Sequence, residues 1–217
     1  RDQAGTMFIG TFGWGLLTRR NGEKVARTIP FSNGKTVLAE YNVTGMAIDG
    51  KTVWVFVGGQ GLSKLDTLRQ ELQLVSPEVR FVNCLYSDTT GIVWAGAESG
   101  LYKFSAAQMK FTQHFTDKPA QLSDNNIISI GSDQSHNLWL GTDRGGVTVF
   151  DRSSNRFSYL ASGDGTDKLS SETVSSILCD KESRIWIGTI KGGCNIIDVQ
   201  KGRFTSISRQ PFSKNTI

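Results

Sequence analysis

Residues 126–146 read NIISIGSDQSHNLWLGTDRGG, and residues 173–193 read TVSSILCDKESRIWIGTIKGG. Superposed, the two stretches share a series of stations. A β-branched aliphatic stands six residues before an aspartate: Ile127 before Asp133, Val174 before Asp180. An apolar residue stands three before it (Ile130, Ile177), and the position four before is small (Ser129, Ser176). A tryptophan follows six residues after (Trp139, Trp186). The same stations recur around Asp88 as Val82, Cys84, Leu85 and Trp94. Around Asp49 they are Val43, Gly45 and Met46, with Trp54 one residue early. Phe8 holds the tryptophan place after Asp2. The four later aspartates lie 39, 45 and 47 residues apart, so the chain is an array of one repeat.

Each unit continues with a glycine and an apolar residue: Gly15-Leu16, Gly61-Leu62, Gly100-Leu101, Gly146-Val147 and Gly193-Cys194. Asp66, Ser105, Asp151 and Asp198 follow, then Leu72, Phe111, Phe157 and Phe204. Turn segments Leu122–Ile127, Leu169–Val174 and Phe212–Ile217 restart the cycle. The segments between stations are short, rich in Val, Ile, Phe, Trp and Thr, and bounded by Gly, Asn, Asp and Ser, which reads as four strands per unit. No stretch holds helical periodicity over three turns; Glu71 to Pro77 comes nearest, and Pro77 ends it.

Four antiparallel strands in about 45 residues is one propeller blade. The expectation is an all-β fold, a β-propeller segment spanning 1–217 with about five blades. The repeat units run about 1–42, 43–81, 82–126, 127–173 and 174–217. The small residues Gly45, Cys84, Ser129 and Ser176 suit an innermost strand crowded at the axis. The tryptophans suit packing between blades. The aspartates after the first strand suit turn caps that accept backbone N–H groups. They do not suit calcium, because no D-x-D-x-D-G run occurs. The chain starts just before a second strand and stops at the start of a first. The expectation is a piece of a longer protein, either closing on itself with five blades or forming part of a larger ring.

The pattern carried by Asn126–Gly146, and by Thr173–Gly193 with Thr173 at the asparagine position, resembles the two-component regulator propeller repeat. The resemblance is closest over 82–217 and looser over 1–81, where Phe8 replaces a tryptophan. It implies a seven-bladed ring in the periplasmic sensor region of a Bacteroides-type hybrid two-component protein. Such a parent is membrane-anchored, with further blades, downstream domains and a histidine kinase as partners of this segment. A homodimer and an oligosaccharide ligand from polysaccharide breakdown are further expectations.

Composition narrows the alternatives. The 217 residues are 38% hydrophobic and 20% charged, with 24 glycines and 4 prolines, the profile of a globular protein with many turns. A net charge of +4, with only Arg19-Arg20 adjacent, gives no nucleic-acid footprint. No apolar run approaches the ~18 residues of a membrane span. Cys84, Cys179 and Cys194 are odd in number and lack C-x-x-C spacing, so three free, mostly buried thiols are expected. With only His114 and His136 beside them, no metal site is expected.

No set of nucleophile, base and orienting group can be assembled, no carboxylate pair stands out, and neither glycine-rich stretch is followed by Gly-Lys-Ser/Thr. The segment is therefore read as non-catalytic and without a cofactor. Function in a repeat fold belongs to residues that break the repeat. In the turn between second and third strands these are Trp14, Gln60, Glu98, Arg144 and Lys191. An indole can stack on a sugar ring and an arginine can fork a carboxylate or sulfate, so these five are the candidate ligand-binding residues. A protein-interaction or structural propeller is the alternative, and a glycoside hydrolase or lyase the more distant one.

Overall fold

The computed structural model describes residues 5–30, 41–50, 52–88, 90–165 and 167–207. Arg1–Ala4 with Asp2, and the Phe212–Ile217 restart, lie outside the described residues. Among the described residues the regular structure is strand only, and no helix is long and apolar enough to cross a membrane.

The strands form five antiparallel sheets in chain order. The first is β1 (Met7–Gly10), β2 (Leu16–Arg19) and β3 (Arg27–Thr28). The second is β4 (Val43–Asp49), β5 (Thr52–Val57), β6 (Gly61–Asp66) and β7 (Glu71–Ser76). The third is β8 (Val82–Ser87), β9 (Ile92–Ala97), β10 (Gly100–Ser105) and β11 (Lys110–Phe115). The fourth is β12 (Ile127–Ser132), β13 (Leu138–Thr142), β14 (Val147–Asp151) and β15 (Arg156–Leu160). The fifth is β16 (Val174–Cys179), β17 (Arg184–Thr189), β18 (Gly193–Asp198) and β19 (Arg203–Ile207). Four sheets have the expected four strands. The first has three, matching the second to fourth strands of the repeat. The Glu71 segment, nearest to a helix by pattern, is strand β7.

The chain divides into two compact units, Arg1–Ala97 with Tyr102–His114, and Glu98–Leu101 with Phe115–Ile217. In the first, Leu16, Ile29, Val43, Val55 and Leu72 form one buried cluster, and Trp54, Phe56, Val82, Val93 and Phe104 another. In the second, Trp139, Leu169, Val174, Ile185 and Ile187 pack together. Inner strands approach closely. A Cβ on Gly45 would meet the Leu85 backbone nitrogen at 3.1 Å, the crowding that suits a small residue at this station. Nearby, two residues before Asp133, a Cβ on Gly131 would meet the Ile177 side chain at 2.7 Å.

The tryptophans are structural. Trp54, Trp94 and Trp139 are buried, and Trp186 is half-buried. The early Trp54 is not misplaced. It pairs with Ala47, as Trp94 pairs with Tyr86, Trp139 with Gly131 and Trp186 with Leu178. All four partners stand two residues before the anchor aspartate, so the missing residue is absorbed in the β4–β5 turn.

The anchor aspartates cap turns as their spacing requires. Asp133 Oδ1 accepts the backbone N–H groups of Ser135 and Asn137, both at 2.9 Å. Asp180 Oδ1 accepts those of Glu182 and Arg184, and Asp88 Oδ1 those of Thr90 and Ile92. The same carboxylates do a second thing that the spacing hid. Asp133 Oδ2 accepts the Trp139 indole N–H at 2.9 Å, and Asp180 Oδ2 accepts that of Trp186 at 2.8 Å. In the fourth and fifth blades the six-residue interval between aspartate and tryptophan is the span of this latch. The three cysteines are free, as expected, and each is of intermediate exposure.

Candidate functional site

The turns between second and third blade strands follow one plan. The inner-strand approach supplies a carbonyl to a turn N–H of the same blade: Asn42 to Gly58 (2.8 Å), Asn126 to Asp143 (3.0 Å) and Thr173 to Ile190 (2.9 Å). The residue just before that position serves the preceding blade: Tyr41 accepts from Gly15 (3.0 Å), and Glu172 from Gly146 (2.9 Å). Consecutive turns are thereby fastened to one connecting segment. The glycine opening the third strand must have positive φ. Gly61 stands at φ 120° and Gly146 at φ 70°, and a Cβ at either would strike the carbonyl ending its own blade's outer strand, Ser76 or Leu160.

In the first unit this plan brings Trp14 and Gln60 to one connecting segment. Gly13 N–H donates to the Asn42 side-chain oxygen at 2.9 Å, while Asn42 carries the Gly58 turn on its carbonyl. Trp14 is 69% exposed, so its indole is available rather than packed. Gln60, half-buried, lines a recess of about 500 Å³ together with Asn42, Thr44, Phe56, Arg80 and Phe81. Thr44 donates its hydroxyl to the Val82 carbonyl, which ties the recess wall to β8.

The recess has a local cause. The connection from blade two to blade three is only Pro77–Phe81, whereas the fourth and fifth blades are joined by 161–173. In that longer connection buried Leu169 lies over Gly146. The short one offers only Val79 as its buried apolar residue. Phe81 also breaks the repeat, standing where Asn42, Asn126 and Thr173 stand elsewhere. It adopts φ 53° with its ring 69% exposed, a conformation uncommon for an aromatic residue. Sequence reading missed Asn42, Arg80 and Phe81. The signals were present: an aromatic at an Asn/Thr station and the shortest interval between repeats.

In the second unit, Arg144 and Lys191 occupy turns fastened through Gly146 and Ile190 to the same segment, Glu172-Thr173. Arg144 is exposed, but its guanidinium is shared with Asp143 at 3.8 Å and Asp124 at 4.0 Å. Lys191 is exposed at φ 64°. Glu98 stands exposed in the β9–β10 turn, and no bond among the described residues ties it to the other four. The described residues hold no group of three or more His, Cys, Asp or Glu placed to grip a metal.

A family profile described as two component regulator propeller matches residues 121–144 and 168–191. Each match covers the stations from the leucine-serine turn to the turn after the tryptophan strand. Residues 121–144 and 168–191 are thus two copies of the two-component regulator propeller repeat. No curated protein matches the chain significantly. Solved structures do. The extracellular domain of a protein described as a hybrid two-component system of B. thetaiotaomicron superposes with a TM-score of 0.77 at 21% identity, over 99% of this chain and 28% of that one. An extracellular domain described as that of a one-component system of the same organism gives 0.72 at 22% identity, over 94% and 27%. PorZ, a surface component of the type-IX secretion system of Porphyromonas gingivalis, gives 0.70 at 18% identity, over 93% and 32%. These likenesses establish the propeller fold for this chain, which spans about a third or less of each of those proteins.

Proposed function

We propose that this chain is a ligand-sensing propeller segment of a periplasmic, membrane-anchored two-component signal transduction protein, and that its ligand is an oligosaccharide released in polysaccharide breakdown. The observation that carries the reading is the recess beside Gln60, fastened through Asn42 to the turn that presents Trp14. Its chemistry suits a sugar. Phe81 offers an exposed ring in the recess, Gln60, Asn42 and Thr44 offer hydrogen-bonding groups, and Arg80 offers a fork for a uronate or sulfate, while Trp14 adds an exposed ring on the turn tied to Asn42. Among the described residues that line the recess none is a carboxylate, whereas glycoside cleavage ordinarily needs two acids flanking the bond. Further blades and a kinase in the parent protein would receive the signal.

Calorimetric titration of the complete ectodomain with host and plant glycans tests the reading. Saturable binding is expected, weakened about tenfold by Trp14→Ala through loss of the stacking face. Arg144→Ala weakens binding of acidic glycans if the second unit contributes. No heat of binding at millimolar glycan counts against the reading. A second reading, a protein-interaction propeller without a small ligand, draws on the exposure of Phe12 (75%) next to Trp14. It predicts that Trp14→Ala disrupts a protein complex while glycans give no heat.

A further inference from the structure

The repeat provides an internal standard for how the space beside a blade tryptophan is filled. In the first unit, Trp54 of β5 meets Phe104 of β10 edge-on with ring centroids 5.4 Å apart, and Phe104 meets Phe111 of β11 at 5.2 Å. In the second unit the corresponding positions are Trp139 of β13, Ile197 of β18 and Phe204 of β19. Ile197 has no ring. A slot of about 310 Å³ opens there, floored by Trp139, Ile197 and Phe204 and edged by Tyr159, Asp167 and Arg203.

A slot of this kind forfeits the dispersion contacts that a ring would make, so the fold bears a cost unless something fills it. Its size is at the lower end for a small-molecule site. Its edge is not apolar. Asp167 comes from the 161–173 connection and Arg203 begins β19. Both are exposed, and among the described residues neither is engaged in an ion pair. The slot therefore offers a ring-sized apolar floor with one anion and one cation above it.

We infer that this slot binds a free aromatic α-amino acid. The ring takes the place that the Phe104 ring holds in the first unit. The ammonium group pairs with Asp167 and the carboxylate with Arg203. The slot lies in the second unit, and its residues are none of those that form the Gln60 recess, so the two sites stand or fall separately.

Ligand-observed NMR on the whole chain with L-phenylalanine tests this. Saturable binding is expected with a dissociation constant of roughly 1 mM, the range that ligand efficiency allows so small a molecule. Ile197→Phe fills the slot with the side chain that blade three already carries. It should abolish binding while leaving the thermal unfolding temperature equal or higher. Asp167→Asn, an exposed substitution that leaves the core untouched, should weaken L-phenylalanine about tenfold yet leave phenylpropionate, which has no ammonium, unchanged. Undiminished binding to Ile197→Phe, or no saturable binding to the parent chain, overturns the inference. Equal binding of N-acetyl-phenylalaninamide, which has the ring without either charge, also overturns it, in favour of a blocked aromatic residue of a polypeptide.

Discussion

The aspartate–tryptophan latch shows how much a single side chain carries in this fold. Asp133 is nearly buried, and its two oxygens serve four donors: two backbone N–H groups, the Asn137 amide at 3.0 Å and the Trp139 indole. Removing the carboxylate leaves a buried indole N–H and two turn amides without partners, and the turn holding β12 to β13 loses its closure. Asp133→Ala should therefore destabilise the second unit by about 2–4 kcal/mol, near the upper end for lost buried hydrogen bonds. Urea unfolding followed by tryptophan fluorescence measures it, and a change below half a kcal/mol would mean that water replaces the carboxylate. The interval between the two residues was legible from the sequence. The bond explaining the interval was not, because a spacing gives positions without directions.

At the scale of elements, the strands were readable and the connections were not. Short runs rich in β-branched and aromatic residues, bounded by turn residues, marked β4 to β19 well, and β5, β9 and β13 are buried along almost their whole length. The connections instead act as packing elements. In 161–173, Leu169 is fully buried in the second unit's core, and Ser170 joins Asn195 of β18, whose amide donates to the Ser170 hydroxyl at 2.9 Å. In the segment before β12, Leu122 is buried, and Ser123 takes the Thr148 hydroxyl for its N–H at 2.9 Å. The Leu-Ser pair thus fastens a loop to the third strand of the next blade, a role its turn-like composition conceals. Leu169→Ala should cost about 2–5 kcal/mol, the range for a fully buried leucine, although the residue lies outside any strand. Hydrogen exchange should show lost protection in β17 and β18 first. If the loss stays within the 161–173 connection, the connection is only a cover.

For the whole molecule, the repeat identified the fold and the family resemblance, and it accounted for most prominent residues as scaffold. Of the five candidate binding residues, the structure joins Trp14 to Gln60 through Asn42, and Arg144 to Lys191 through the Glu172-Thr173 segment. What lay beyond the sequence were voids, the Gln60 recess and the Ile197 slot, because a void comes from residues missing relative to a neighbouring repeat. The repeat also distributes charge in a way that governs the whole chain's response to acid. Four carboxylates at turn stations are held below the usual carboxylate range. Asp66 is held chiefly by the Arg69 backbone N–H, Asp151 by the Ser154 hydroxyl, Asp180 by the Trp186 indole N–H and Asp198 by the Lys201 backbone N–H. A group whose folded value lies below its unfolded value stabilises the fold above the unfolded value, near pH 3.9, and that contribution fades as pH falls through the folded one. Since the four are spread over both units, neither unit escapes. The midpoint of thermal unfolding should stay nearly level from pH 7 to about pH 5 and drop steeply below about pH 4. Asp180→Asn should flatten the acid limb, because the amide keeps an acceptor for the indole but no longer takes up a proton. A midpoint that already falls between pH 7 and pH 5 would assign the acid response to other groups and remove the turn carboxylates as its cause.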